Sequence, residues 1–258
     1  MFPLYSKARA HRQARHGGST PLAAVTFRAW ASKILRVTSR CRRRIRRYTL
    51  ADMCGRMTLT RRELIEVADE LEAAFDAGAA AAYRPRYNVA PTDTHPVLRL
   101  REGARWLEPA RWGLPPTGRR AKAPVINARA ETARLRDPFR AAWNGPVGSM
   151  AGRCVVPADG FFEWKKETRE PTWFHRPDGR LLLLAGLWQD GAFTVLTTAP
   201  NALVGQIHDR MPAVLSPDEA HAWLAAPSSG LLHPAPEGVL EARPVSTRRS
   251  SRPTSSSR

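Results

Sequence analysis

Nearly all of the net positive charge of this chain is carried by its two ends. Residues 1–52 contain 13 lysines and arginines and one acidic residue, and residues 243–258 contain five arginines and no acidic residue. The stretch between them, 53–242, has 23 basic and 22 acidic residues. Segments of high net charge with few apolar residues cannot bury enough surface to fold. The core must therefore come from the nearly neutral middle, where a nucleic-acid site would have to be a local basic patch.

The length of the middle segment suits one domain with two tails. We expect a basic, disordered leader at 1–53, a folded domain at 54–246 and a disordered basic tail at 247–258. Three origins of the leader stay open: an arginine-rich transit peptide, a propeptide that is removed, or a gene start assigned too far upstream.

Apolar runs and cysteines exclude several protein classes. The longest apolar run, at 181–188, has eight residues, whereas a membrane-spanning helix needs about 20. The three cysteines, Cys41, Cys54 and Cys154, show no zinc-ligand spacing and cannot form a disulfide framework. We therefore expect a cytoplasmic protein with no membrane segment, no metal and no cofactor. Cys154 lies in an apolar run and is predicted to be part of the core.

Two segments carry the start signal of a helix, which is a capping residue followed three positions later by glutamate. Thr60 and Glu63 form one such pair, and apolar residues then recur at helical spacing as far as residue 75. Ser216 and Glu219 form the other pair, with a proline between them at the first helical position.

Short apolar runs separated by turn residues predict strands at 153–164, 181–188 and 193–200. A third helix is expected over 131–143, interrupted near Asp137 because the next residue is proline. Strands outnumber helices and do not alternate with them regularly. The predicted fold is therefore α+β, a single domain with a mainly antiparallel, barrel-like sheet and flanking helices.

Three polar residues stand in apolar surroundings and are candidates for chemistry. Asn127 follows a valine–isoleucine pair, Glu163 lies between phenylalanine and tryptophan, and His208 is part of the segment "QIHDRMP". Each has a structural alternative. Asn127 could close a turn, Glu163 could point outward from a half-exposed strand, and His208 could be a hydrogen-bonded structural histidine.

Eight ordered motifs together carry a resemblance to a known family. The segments "CGR", "PRYNVAPT", "RWGL", "INARAET", "RCVVPADGFFEW", "LAGLW", "TTAPN" and "IHDRMP" follow one another between Cys54 and about Ser246. In this order they resemble the SRAP family, the SOS response-associated peptidases or abasic-site-processing proteins. The resemblance implies a nucleoid-associated monomer that senses abasic sites in single-stranded DNA covalently.

The implied chemistry requires Cys54 to be the N-terminal residue, freed from Met53 and everything before it. A free α-amine has a pKa of about 8, so part of it is neutral at pH 7 and can attack the aldehyde of a ring-opened abasic sugar. The neighbouring thiol then closes a five-membered thiazolidine. An internal Cys54 would offer an amide nitrogen, which does not form imines.

The resemblance also assigns the supporting catalytic residues. Asn127 is expected to orient the terminal amine and the sugar. Glu163 is expected to act as general acid and base, with a pKa raised by desolvation. His208 is expected to be a second proton shuttle near the sugar hydroxyl.

The implied DNA contacts fall into two groups. Phosphates are expected to bind the guanidinium groups of Arg56, Arg129, Arg210 and Arg153. Flanking bases are expected to be held apart by Pro91 and stacked on Trp112. Plain core packing is the alternative for Trp112.

Two rival functions remain open at this point. A cysteine, a glutamate and a histidine would also suit a thiol peptidase that removes its own leader, and an imine at the sugar would allow weak lyase activity. The other rival is a non-enzymatic single-strand-binding module whose affinity comes from the basic tails.

Overall fold

The computed structural model describes residues 55–116 and 123–245. The predicted leader at 1–53, Cys54 and the predicted tail at 247–258 lie outside the described residues. Within the described part, the chain forms 13 strands and six α-helices. The strands are β1 Arg56–Leu59, β2 Arg86–Val89, β3 Thr94–Arg101, β4 Ala104–Trp112, β5 Asn127–Arg129, β6 Ala151–Ala158, β7 Gly160–Trp164, β8 Pro171–His175, β9 Leu182–Gln189, β10 Ala192–Thr198, β11 Met211–Pro212, β12 Val214–Leu215 and β13 Glu241–Pro244. The helices are α1 Leu64–Leu71, α2 Ala77–Ala82, α3 Ala130–Ala133, α4 Phe139–Asn144, α5 Ala202–Gly205 and α6 Pro217–Ala225, with a 3₁₀ turn at Ser229–Leu231.

The strands form two sheets. The smaller has the order β13-β8-β7-β1-β2. In the larger, β10 pairs with β4, β4 with β3, β3 with β6, β6 with β9 and β9 again with β10, so the pairings close into a ring. Among the strand pairs of the described residues, only those of β10 with β4 and β5 are parallel. The predicted α+β class with a mainly antiparallel sheet is confirmed, and the expected barrel-like closure corresponds to this ring.

The continuous apolar runs at β6 and β9 are explained by burial on both faces. Alternate residues of a strand point to opposite sides of a sheet. Val155 and Leu183 lie in the core that the helices cover, whereas Cys154 and Leu184 lie in the core beneath the smaller sheet. Cys154 is fully buried, as predicted, and burial raises the pKa of its thiol.

The first predicted helix begins and ends differently from the expectation. Its N-cap is Glu63 and not Thr60, because the backbone N–H and the hydroxyl of Thr60 both donate to Asp159. It ends at Leu71, where Glu72 takes a left-handed conformation with φ of 50°. The expected continuation to residue 75 is therefore wrong.

The other two helical predictions agree with the structure. Ser216 caps α6 and forms a capping box with Glu219, and Trp223 on that helix is fully buried. The interrupted helix is divided into α3 and α4, with Pro138 as the N-cap of α4. None of the described helices is long and apolar enough to cross a membrane.

Candidate functional site

The second half of β10 positions two groups of candidate residues. On one edge, Val195 and Thr197 pair in parallel with Asn127 and Arg129 of β5. On the other edge, Thr197 pairs with Pro212 of β11, directly after the turn that contains the predicted histidine. The first half of β10 pairs with β4 and β9 and completes the ring. The candidates therefore lie beside the continuation of a strand that also closes the ring.

Asn127 and Arg129 occupy the two ends of β5 and differ in exposure. Asn127 is 6% exposed and Arg129 is exposed. Because Asn127 is paired within a strand, the alternative that it closes a turn is wrong. A buried amide next to an exposed guanidinium can hold a small polar group while the guanidinium faces an anion from solvent.

His208 lies in the turn between α5 and β11 and is held by its own segment. Its Nδ1 lies 3.1 Å from the backbone nitrogen of Arg210 and 3.2 Å from the backbone oxygen of the same residue. Oδ1 of Asp209 is 3.3 Å away from the same ring nitrogen. The imidazole is thus fixed through Nδ1, which is compatible with proton exchange at Nε2.

Glu163 and Arg56 come from neighbouring strands of the smaller sheet. In the antiparallel pairing of β1 with β7, Arg56 is opposite Phe162, the residue before Glu163. Glu163 is 2% exposed. The alternative of an outward-pointing Glu163 on a half-exposed strand is therefore wrong.

A small cavity lies between strands of the two sheets. Its lining includes Arg56 from β1, Val195 from β10 and Pro212 from β11. Val195 pairs with Asn127. The structure thus brings Arg56, in the strand beside β7, next to the strands that carry the amide and the histidine turn.

Arg210 is engaged by an acidic residue that was not among the predicted site residues. Its two terminal nitrogens donate to the carboxylate of Glu131 at 2.7 and 2.8 Å, and Nη2 also donates to the backbone oxygen of Thr197 at 2.6 Å. This hydrogen-bonded guanidinium holds the pKa of Glu131 below its usual range, with Arg129 adding to the effect. Because 79 positions separate Glu131 from Arg210, no local sequence signal could have revealed the pair.

Pro91, which was expected to be the wedge, lies in a turn. It is half-buried in the turn between β2 and β3. The next residue, Thr92, donates its backbone N–H to the oxygen of Trp112 at 2.8 Å. This bond keeps the turn beside the end of β4.

Trp112 itself is not placed to stack on a DNA base. It is 2% exposed, its ring is stacked on Phe193 with centroids 6.1 Å apart, and its indole N–H donates to the oxygen of Ile126. The core-packing alternative accounts for this side chain, since no ring face is left open to solvent.

Arg153 is also placed differently from the prediction. It is 6% exposed, and its guanidinium donates to the backbone oxygens of Trp143, Gly145 and Trp223. These bonds link α4 and α6 to β6. A DNA phosphate cannot reach this side chain, because the guanidinium is buried and its N–H groups already donate to backbone oxygens.

Cys54 lies outside the described residues. Within the two described ranges, no group of three or more histidine, cysteine, aspartate or glutamate side chains could hold a metal ion.

Comparisons with solved structures agree with this fold. A crystal structure of a protein from Bordetella bronchiseptica superposes with a TM-score of 0.60 at 26% identity, covering 75% of this chain and 100% of that one. A protein from Bacteroides thetaiotaomicron superposes with a TM-score of 0.63 over 74% of this chain and 91% of its own. At 24% identity, the second likeness concerns the fold alone.

Sequence comparisons identify named relatives. The chain is 35% identical over 194 residues to the abasic site processing protein YedK of Escherichia coli (strain K12), covering 69% of this chain and 82% of that protein. It is 33% identical over 219 residues to the abasic site processing protein YoqW of Bacillus subtilis (strain 168), covering 76% and 93%. The family described as "SOS response associated peptidase (SRAP)" matches residues 53–251. The chain therefore belongs to the SRAP family.

Proposed function

We propose that this protein captures abasic sites in single-stranded DNA through a thiazolidine formed by Cys54 as the N-terminal residue. The observation that carries the proposal is the pairing of Arg56 with Phe162, the neighbour of Glu163. Cys54 stands two positions before Arg56 in the sequence, and the proposal requires its amine to reach this buried carboxyl group. The names of the bacterial relatives, which are abasic site processing proteins, support the same substrate.

The reaction needs no redox partner. The neutral α-amine of Cys54 adds to the C1′ aldehyde of the ring-opened sugar, and loss of one water gives an imine. The thiol then adds across the C=N bond: sulfur bonds to carbon, and the thiol proton ends on nitrogen. One water is released in total, and the DNA strand stays intact.

Three buried or half-buried side chains would assist these steps. Glu163 would move protons during addition of the amine and loss of water. Asn127 would hold the amine or the sugar by hydrogen bonds from its amide. His208, fixed through Nδ1, would exchange protons at Nε2 with the sugar hydroxyl.

The strand would be held by phosphate contacts and a wedge. Arg129 is exposed at the end of β5, Arg56 lines the cavity, and Arg210 directly precedes β11, which pairs with β10. Guanidinium groups suit bidentate phosphate contacts, which carry no sequence information. Pro91 would keep the bases next to the abasic site apart.

The decisive experiment uses protein that begins at Cys54 and a single-stranded oligonucleotide with one abasic site. We expect an adduct that survives a denaturing gel. Cys54→Ala should give none, whereas Cys154→Ala, which removes the buried thiol, should react like the wild type. A chain that retains Met53 has no free cysteine amine and should also give none. An equal adduct yield with Met53 retained would refute the mechanism.

Cys54→Ser separates the two chemical steps. An N-terminal serine keeps the amine and loses the thiol, so we expect an imine that borohydride traps but that does not survive heating untreated. If Cys54→Ser gave a heat-stable adduct without reduction, thiazolidine formation would not be the stabilising step.

Autoproteolysis is the second candidate, because the family description names a peptidase. On this account Cys54, Glu163 and His208 would cleave the chain before Cys54. The full 258-residue chain with Glu163→Gln should then keep its leader, as read from the intact mass. Clean removal of the leader in that variant would argue against self-cleavage. Weak lyase activity would appear as strand cleavage at the abasic site.

A further inference from the structure

The two candidate phosphate-binding arginines on β5 and before β11 share one acidic neighbour. Glu131 accepts hydrogen bonds from both terminal nitrogens of Arg210 and also interacts electrostatically with Arg129. Its side chain is 52% exposed, whereas that of Arg210 is 11% exposed. The carboxylate thus covers the guanidinium from the solvent side.

Carboxylate and phosphate groups present the same pair of oxygens to a guanidinium. In the DNA-free protein, Glu131 therefore occupies the place that a phosphate would take. DNA that binds at Arg210 has to displace this carboxylate, and it meets the repulsion of the negative charge as it approaches.

Glu131 is not required to place Arg210. The guanidinium also donates to the backbone oxygen of Thr197. The backbone nitrogen of Arg210 is held by Nδ1 of His208, and the two residues that follow it pair with β10. With these contacts besides the one to Glu131, Arg210 should keep its position when the carboxylate is neutralised.

We propose that Glu131 is an electrostatic gate on the phosphate contact of Arg210. This inference rests on the proposed function, because it assumes that the site binds DNA strands. The gate holds down the noncovalent affinity for any single strand. Selection for abasic sites then depends on the covalent step, since undamaged strands dissociate easily.

The test is noncovalent binding of an undamaged single-stranded oligonucleotide, followed by fluorescence anisotropy at several salt concentrations. Glu131→Gln should tighten binding about three- to tenfold. The slope of log K against log salt should steepen by about one phosphate contact. Asp69→Asn, which removes one negative charge from the exposed face of α1, should change the affinity less than about twofold.

A double-variant cycle separates the gate from general charge. Arg210→Gln alone should weaken binding, and Glu131→Gln added to it should restore less than about twofold. If Glu131→Gln weakened binding, left it unchanged, or tightened it equally without Arg210, the gate would be disproved.

The proposed function has its own readout in the same samples. If the wild type formed no abasic-site adduct but Glu131→Gln still bound single-stranded DNA more tightly, the capture reaction would be refuted and the gate would stand. If the adduct formed but Glu131→Gln did not increase the affinity for single-stranded DNA, the capture reaction would stand and the gate would be refuted. No binding by any variant would overturn both.

Discussion

Asp159 accepts two hydrogen bonds from Thr60, one from the backbone N–H at 2.5 Å and one from the hydroxyl at 2.7 Å. Thr60 follows β1, and Asp159 lies between β6 and β7. The pair therefore fixes the end of β1 against the turn that leads to Glu163. Burial raises the pKa of Asp159, which the bonds from Thr60 oppose.

Loss of the Thr60 hydroxyl should destabilise the protein without touching the site. We expect Thr60→Val to lower the free energy of unfolding by about 1–2 kcal/mol, because a charged, largely buried acceptor loses one partner. Urea unfolding measures the change. Thr94→Val, at an exposed position where β3 begins, is the matched control and should stay within about 0.5 kcal/mol. An equal effect of both variants would mean that the Asp159 contact adds nothing.

Protonation of His95 should make the fold sensitive to acid. The ring is 2% exposed and its Nε2 is 2.7 Å from the oxygen of Pro157. Burial lowers its pKa to about 4. Below pH 6.5, the ordinary pKa of histidine, His95 is therefore protonated in the unfolded chain but stays neutral in the folded chain until the pH approaches 4. Stability is complete above pH 6.5 and falls as the pH drops towards 4.

The size of this effect follows from the shift. Between pH 7 and pH 4.5, His95 should cost about 2–3 kcal/mol of stability. His95→Gln can keep a hydrogen bond to Pro157 but cannot be protonated, so its loss of stability over that range should be smaller by this amount. The exposed His221 on α6, replaced by glutamine, serves as the control. Identical pH dependence of wild type and His95→Gln would exclude His95 as the cause.

Arg153 and Arg129 should separate stability from DNA binding. Arg153→Leu leaves four backbone oxygens without their donor, and we expect a loss of about 2–4 kcal/mol in unfolding free energy. Adduct formation, measured at low temperature where the variant is folded, should stay at the wild-type rate. Arg129→Gln should do the opposite, with normal stability and slower capture. Slower capture by folded Arg153→Leu would restore the original phosphate-contact prediction.

Trp112→Phe tests the other reassigned residue. The variant loses the indole bond to Ile126 and part of the contact with Phe193, so we expect about 1–3 kcal/mol of destabilisation. Affinity for single-stranded DNA should be unchanged within about twofold, since a buried ring offers no stacking surface. A large loss of affinity with little loss of stability would contradict the core-packing account.

Some features of the fold and the site could be predicted from the sequence. Ser216 and Glu219 marked the start of α6 because a capping box is a local pattern. Cys154 was placed in the core because its strand is apolar on both faces. The start of α1 could not be predicted, because Thr60 bonds to Asp159, which is 99 positions away in the sequence. The predictions for Arg153 and Trp112 were wrong for a related reason. Arginine and tryptophan can contact DNA or can be buried in the fold, and only their tertiary partners distinguish the two roles.

The double use of β10 has a consequence for how the site can open. One strand completes the ring with β4 and β9, and its continuation holds β5 and β11. Fraying that released the two site strands would have to propagate into the pairings that close the ring. The amide hydrogens of Val195 and Ala213, which donate to the backbone oxygens of Ile126 and Leu196, should therefore exchange with the slow, globally unfolding set. The strands that carry Asn127 and follow the His208 turn would then belong to the most slowly exchanging cooperative unit among the described residues.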